Sequence, residues 1–275
     1  MSDYVTFVAE CIELALAGAG CVLLWRHVLS PAARNRPQLP TLAPWEARPV
    51  EFLTFLFFVI SGGFLISLVG SMVAKPLGLS GDTAMVFNGA AAQLGMLAGI
   101  ALYRSASRRA EPATAAPPNF LLAGGATFLI ALPLVLACAK VWVLILEAAG
   151  LPAEKQDLID LFMRTTSPGL LTAMILLAVV MAPVTEELIF RAGLFRYLRT
   201  RLPRPLGLLL PAMIFAALHV QWPTLGNLAS FAPLTVLALI FSAAYERTGL
   251  IATTMVAHAL FNLNTVVLIF VGVTE

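Results

Sequence analysis

The sequence predicts an all-α fold, a polytopic membrane helical bundle of about eight transmembrane helices. Three observations carry that prediction. Hydrophobic residues make up 60% of the chain and charged residues only 12%, with a mean hydropathy of +0.90. Several apolar runs reach the roughly 20 residues that a helix needs to cross ~30 Å of hydrocarbon. No alternating ten-residue strand pattern appears, and lipid tolerates no open sheet edge, so helices are left. This composition excludes an ordinary soluble protein, and no basic run resembles a nucleic-acid patch.

The first span is expected over about Tyr4 to Leu29, with Glu10 and Glu13 inside it and Arg26 and His27 at its end. Acidic residues stand where a secretory signal would carry basic ones, so this reads as a retained span. A proline-rich connector over residues 31 to 51 carries Arg34, Arg36 and Arg48. The second span, about Phe52 to Ala74, contains Ser61-Gly62-Gly63 and Gly70-Ser71, small residues that let helices approach closely. The third covers roughly residues 83 to 103 and ends at Arg104, Arg108 and Arg109, before a Pro- and Ala-rich loop over 111 to 118. The fourth, about Phe120 to Ala149, exceeds the needed length and contains Lys140. A polar connector over 153 to 165 follows, with Glu154, Lys155, Asp157, Asp160 and Arg164.

The fifth span begins near Gly169 and is followed by Arg196, Arg199, Arg201 and Arg204. The sixth is expected from about Leu206 to Gln221, the seventh from Leu225 to Ala244 and the eighth from Leu250 to Val271. The basic residues cluster after spans one, three, five and seven. The other side offers only Lys75, Lys155 and Arg164. By the positive-inside rule both termini are expected outside the cytoplasm, and the alanine-rich spans suggest a bacterial inner membrane. Cys11, Cys21 and Cys138 lie in apolar segments and read as small buried hydrophobes rather than a disulfide framework.

One stretch breaks the apolar pattern of span five: Pro183-Val184-Thr185-Glu186-Glu187-Leu188-Ile189-Phe190-Arg191. Ionisable residues inside a membrane segment are costly, so they pair, face a cavity and mark working sites. Adjacent helical residues point about 100° apart, which gives Glu186 and Glu187 different surroundings. Glu187 and Arg191 stand at i and i+4 in the favourable order for an ion pair. Glu186 is then the carboxylate without an assigned partner, suited to general-base work. Solvation of all three at a helix end is the competing account.

His219 in span six, and His258 with Asn262 one turn later in span eight, add polar side chains to apolar helices. At 1.5 Å per residue, Glu186 lies ~18 Å, His219 ~20 Å and His258 ~12 Å from the cytoplasmic ends of their spans. That agreement requires span five to continue past Arg191. Two chemistries suit the set, and both hydrolyse an amide. In one, Glu186 and His219 activate a water while His258 and Asn262 bind the oxyanion. In the other, His219 and His258 with Glu186 hold a zinc ion that activates the water.

The motifs Glu186-Glu187-x-x-x-Arg191, Phe215-x-x-x-His219 and His258-x-x-x-Asn262 resemble those of the membrane-embedded CAAX-protease and bacteriocin-processing family, also called Abi. The resemblance covers about residues 169 to 271. It divides the chain into an N-terminal region, 1–165, without a motif and a catalytic-like region, 166–275. It implies an intramembrane endopeptidase acting on a membrane-associated or prenylated protein or peptide. Glu186 would be the base, supported by Glu187 and Arg191; His219 would help activate water, and His258 with Asn262 would bind the oxyanion. The family is described both as metal-dependent and as a glutamate protease, so zinc stays an open cofactor. The alternative is a non-proteolytic membrane module, either a proton-coupled carrier using the same buried groups or a scaffold for another membrane protein.

Overall fold

The computed structural model describes residues 3–35, 42–107, 119–152, 157–222, 224–225 and 227–272. Arg36, Arg108, Arg109, Lys155 and the loop 111–118 lie outside the described residues. The described chain is helical throughout its long elements. They are α1 (Asp3–Leu24), α2 (Pro31–Arg34), α3 (Pro49–Ala74), α4 (Gly81–Ser107), α5 (Phe120–Ala148) and α6 (Asp157–Arg164), then α7 (Pro168–Arg199), α8 (Arg204–Ala217), α9 (Phe231–Thr248) and α10 (Ile251–Val271).

Seven of these helices are long and apolar enough to cross a membrane: α1 with its extension to Leu29, α3, α4, α5, α7, α9 with its preceding turn, and α10. The protein is therefore an integral, multi-pass membrane bundle. Large side chains such as Phe57, Phe64 and Leu122 stand on its outer surface, as they must where the solvent is lipid. Only 6% of the apolar window of α1 is buried, which makes it the peripheral helix.

The sixth expected span differs. α8 has 14 residues, about 21 Å, and stops at Ala217, so it is too short to cross alone. His219 donates its backbone N–H to Ala216 O in the closing turn, and Trp222 precedes a proline that disfavours further helix. Leu225 and Asn227 then adopt positive φ, 54° and 60°, and the chain re-enters helix near Leu228. The indole N–H of Trp142 on α5 holds Leu228 O at 2.9 Å.

Two ends of the bundle are defined by contacts. At one end the start of α1 meets the finish of α10, where Thr6 Oγ1 donates to Val271 O at 3.0 Å, and Arg164 pairs with Asp82 at 2.7 Å. At the other end the arginines read from sequence as a topology signal do more. Arg196 and Arg199 donate to the carbonyls of Ala43 and Leu42, and Arg201 to those of Trp45 and Ala47. Arg199 and Arg204 both bind Glu246 near the end of α9. The segment 42–47, part of the expected proline-rich connector, is a strap held across the base of α7. Trp45 plugs it among Phe52, Phe55, Tyr103 and Tyr197.

α5, α9 and α10 share a core of Phe128, Leu132, Leu237, Phe241 and Ala257, so packing runs across the boundary between the N-terminal and C-terminal regions. α3 and α4 form a hairpin whose backbones touch. A Cβ on Gly95 would lie 2.1 Å from Gly62 O, and one on Gly99 would lie 2.1 Å from Phe58 O. The cysteines are free, but the expectation of burial fails: Cys11 and Cys21 are exposed on α1 because that helix faces outward, and Cys138 is half-buried.

Gly95→Leu is expected to cost about 1–3 kcal/mol by forcing the hairpin apart. Gly18→Ala, where a Cβ meets nothing within 4 Å, should be neutral or slightly stabilising. Thermal unfolding in detergent compares the two; equal midpoints would contradict the close approach.

Candidate active site

α7 positions the site, and its backbone is not a regular α-helix. Pro183 has no N–H for Val179 O, so the preceding turn widens: Leu177–Met181 is π-helical, with Ala182 N–H bonded to Leu177 O. A short α-helical stretch, Ala182–Glu186, follows, then a second π-helical run, Glu187–Phe195. The helix continues through Arg191 to Arg199, the condition on which the predicted site depended.

Glu187 and Arg191 form the expected ion pair, with Arg191 Nη1 and Glu187 Oε1 at 3.0 Å. Both are sealed: their side chains are 0% and 1% exposed. The guanidinium also lies over the rings of Phe215, at 4.6 Å, and Phe241, at 5.5 Å. Aromatic faces attract a desolvated cation, so α8 and α9 complete the pocket for Arg191. Phe241 carried no polar signal and was not singled out in the sequence.

Glu187 has a second partner. His258 Nδ1 lies 2.9 Å from the same Oε1. A carboxylate only accepts, so the ring donates from Nδ1 and turns Nε2 towards Glu186, whose Oε2 stands 3.8 Å away. That gap is too long for a hydrogen bond. Glu186 is half-buried, its side chain 21% exposed, while His258 is buried. The two adjacent glutamates thus differ as the helical spacing implies: one is closed inside a network and the other reaches an open edge.

His219 is fixed differently. Its Nδ1 donates to Phe215 O at 2.8 Å across the last turn of α8, leaving Nε2 with a lone pair. Its ring packs 4.7 Å from Phe215, whose other neighbours include His258 at 6.3 Å. His219 makes no hydrogen bond to Glu186, Glu187 or His258. Asn262 sits one turn beyond His258 and donates Nδ2 to Ala178 O at 2.7 Å. The acceptor lies in the π-helical turn that Pro183 imposes, which locks α10 to α7 beside the carboxylates.

A zinc site would need three or four ligands converging on one point. Among the described residues no three His, Cys, Asp or Glu side chains are gathered to hold an ion. His258 already spends one ring nitrogen on Glu187, and His219 stands apart. The trio His219, His258 and Glu186 does not fit a metal in this arrangement.

Helices α7 to α10 thus carry a set of polar and charged side chains inside a membrane bundle. Residues 168–264 match the family model described as Rce1-like, Type II CAAX prenyl endopeptidase. The match begins at the first residue of α7 and ends two residues after Asn262, so it contains every side chain named above. It agrees with the family that the three motifs resemble. No curated protein and no solved structure matches the chain.

Removing one member of the buried pair leaves an uncompensated charge, so Arg191→Leu alone is expected to cost about 3–5 kcal/mol. Arg191→Leu combined with Glu187→Leu should recover much of that loss. A double-mutant cycle on detergent-solubilised protein measures it; purely additive losses would deny the coupling.

Proposed function

We propose that the chain is an intramembrane endopeptidase that hydrolyses a peptide bond of a membrane-associated or prenylated protein or peptide. The observation that carries the reading is the facing pair Glu186 and His258, with His258 anchored through Glu187 to Arg191. The match over residues 168–264 supports the same reaction class.

Glu186, the more exposed carboxylate, accepts a proton from water, and His219 Nε2 accepts a second hydrogen bond from the same water. The water oxygen attacks the carbonyl carbon while the C=O π electrons move to oxygen. His258 Nε2–H and the remaining amide N–H of Asn262 hold that oxyanion. The C–N bond then breaks, and the amine leaves with the proton that Glu186 had stored.

For Nε2 to donate while Nδ1 donates to Glu187, His258 carries two ring protons and a positive charge. The four side chains then balance, Arg191 and His258 against Glu186 and Glu187. Glu187 makes that imidazolium tolerable in a dry interior, which is its positioning role. By the positive-inside rule we place the arginine-bearing end in the cytoplasm, with both termini outside, and from the alanine-rich spans we place the protein in a bacterial inner membrane.

In a fluorogenic peptide assay in nanodiscs, Glu186→Ala is expected to lower kcat by about 10²–10⁴-fold, with losses also from His219→Ala and His258→Ala. Unchanged cleavage by all three variants would sink the proposal. In the same assay a strong chelator should leave the rate unaltered; a loss restored by added zinc would require the metal-dependent mechanism instead.

A further inference from the structure

α4 presents one stripe of positions to α6 and α7, at 82, 86, 89, 93, 97 and 100, recurring every three or four residues. Every other member has a settled environment. Asp82 pairs with Arg164, and Val86 packs in one cluster with Met174. A Cβ on Gly89 would meet Leu177 at 3.6 Å, and Leu97 and Ile100 join Leu188, Ile189 and Tyr197. These contacts climb α7 in step with α4, so the two helices run parallel. Gln93 falls between the level of Leu177 and that of Leu188, and α4 as a helix packs against the stretch Ala182–Glu186.

The adjoining face of α4, with Ala91, Ala92, Gly95, Met96 and Gly99, is committed to α3. Gln93 is therefore the polar side chain that α4 turns towards the stretch of α7 ending at Glu186. It is half-buried, and its Oε1 is enclosed without a hydrogen-bond partner. An enclosed amide oxygen without a donor is costly, more so where no bulk water competes. Such a cost is tolerated where the missing donor arrives with a ligand.

Building on the peptidase reading above, we propose that Gln93 is a substrate-binding residue: its side-chain amide accepts a backbone N–H of the peptide lying along α7 beside Glu186. The chemical class is an extended peptide, because an extended backbone exposes N–H groups that a helical or lipid ligand lacks. The interaction belongs to binding rather than to bond breaking. Its loss acts on KM more than on kcat.

The test uses the full chain in nanodiscs and a farnesylated fluorogenic peptide ending in Cys and two aliphatic residues before the last, with its unprenylated counterpart. Each backbone amide is replaced in turn by an ester, which removes one N–H and keeps the chain length. One ester position is expected to lower kcat/KM about three- to tenfold in the parent protein and to have no effect in Gln93→Leu. Gln93→Leu itself should raise KM by the same factor with kcat little changed, and Gln93→Asn should recover part of the loss. Ester effects identical in the two proteins, or an unchanged KM, would overturn the assignment of Gln93 while leaving cleavage by Glu186 standing. Peptide binding to Glu186→Gln with no cleavage by the parent would overturn the peptidase reading and, with it, this role.

Discussion

A guanidinium and a carboxylate with almost no exposed surface are held together in the middle of a lipid-facing bundle. Either charge alone would be expelled from such a place. Arg191 is tolerated because Glu187 lies 3.0 Å away and two aromatic faces cover it; Glu187 is tolerated because Arg191 and His258 share one of its oxygens. Neutralising and covering that pair constrains four helices at once: α7 carries the charges, α8 and α9 supply Phe215 and Phe241, and α10 supplies His258. The orientation of the reactive groups is thus a by-product of burying a charge.

Much of this was legible in the sequence because it is local. The i, i+4 spacing of Glu187 and Arg191 and the inequality of Glu186 and Glu187 follow from helix geometry. What was not legible depends on distant segments or on backbone irregularity. Nothing in the apolar run around Phe241 marks it as a cover for a cation. The bond from His258 to Glu187 joins residues 71 apart in sequence, so the sequence left His258 between an oxyanion donor and a zinc ligand. The wide turn that Pro183 produces gives Asn262 its backbone acceptor, which no side-chain pattern encodes.

The arginine-rich end shows a different failure. Arg196, Arg199, Arg201 and Arg204 read as markers of orientation, and Glu246 drew no notice. In the folded chain Glu246 draws two of those arginines together, and the others tie down residues 42–47 through backbone carbonyls. A strap with little regular structure has unpaired carbonyls to offer, and arginine's planar array of donors can reach several of them. The N-terminal helices are thereby coupled to the foot of α7 although the family match does not include them.

The early stop of α8 has a chemical meaning as well as a topological one. Hydrolysis in a membrane needs a reagent that the membrane excludes. Irregular backbone at that depth is stable only against protein or beside water, because lipid can satisfy neither its N–H nor its carbonyl groups. Ending the helix at Ala217 places His219 on the last turn before such a segment. In the reaction proposed above, the irregular stretch that carries the chain from α8 to α9 is then where water, the second substrate, would meet the His219 imidazole.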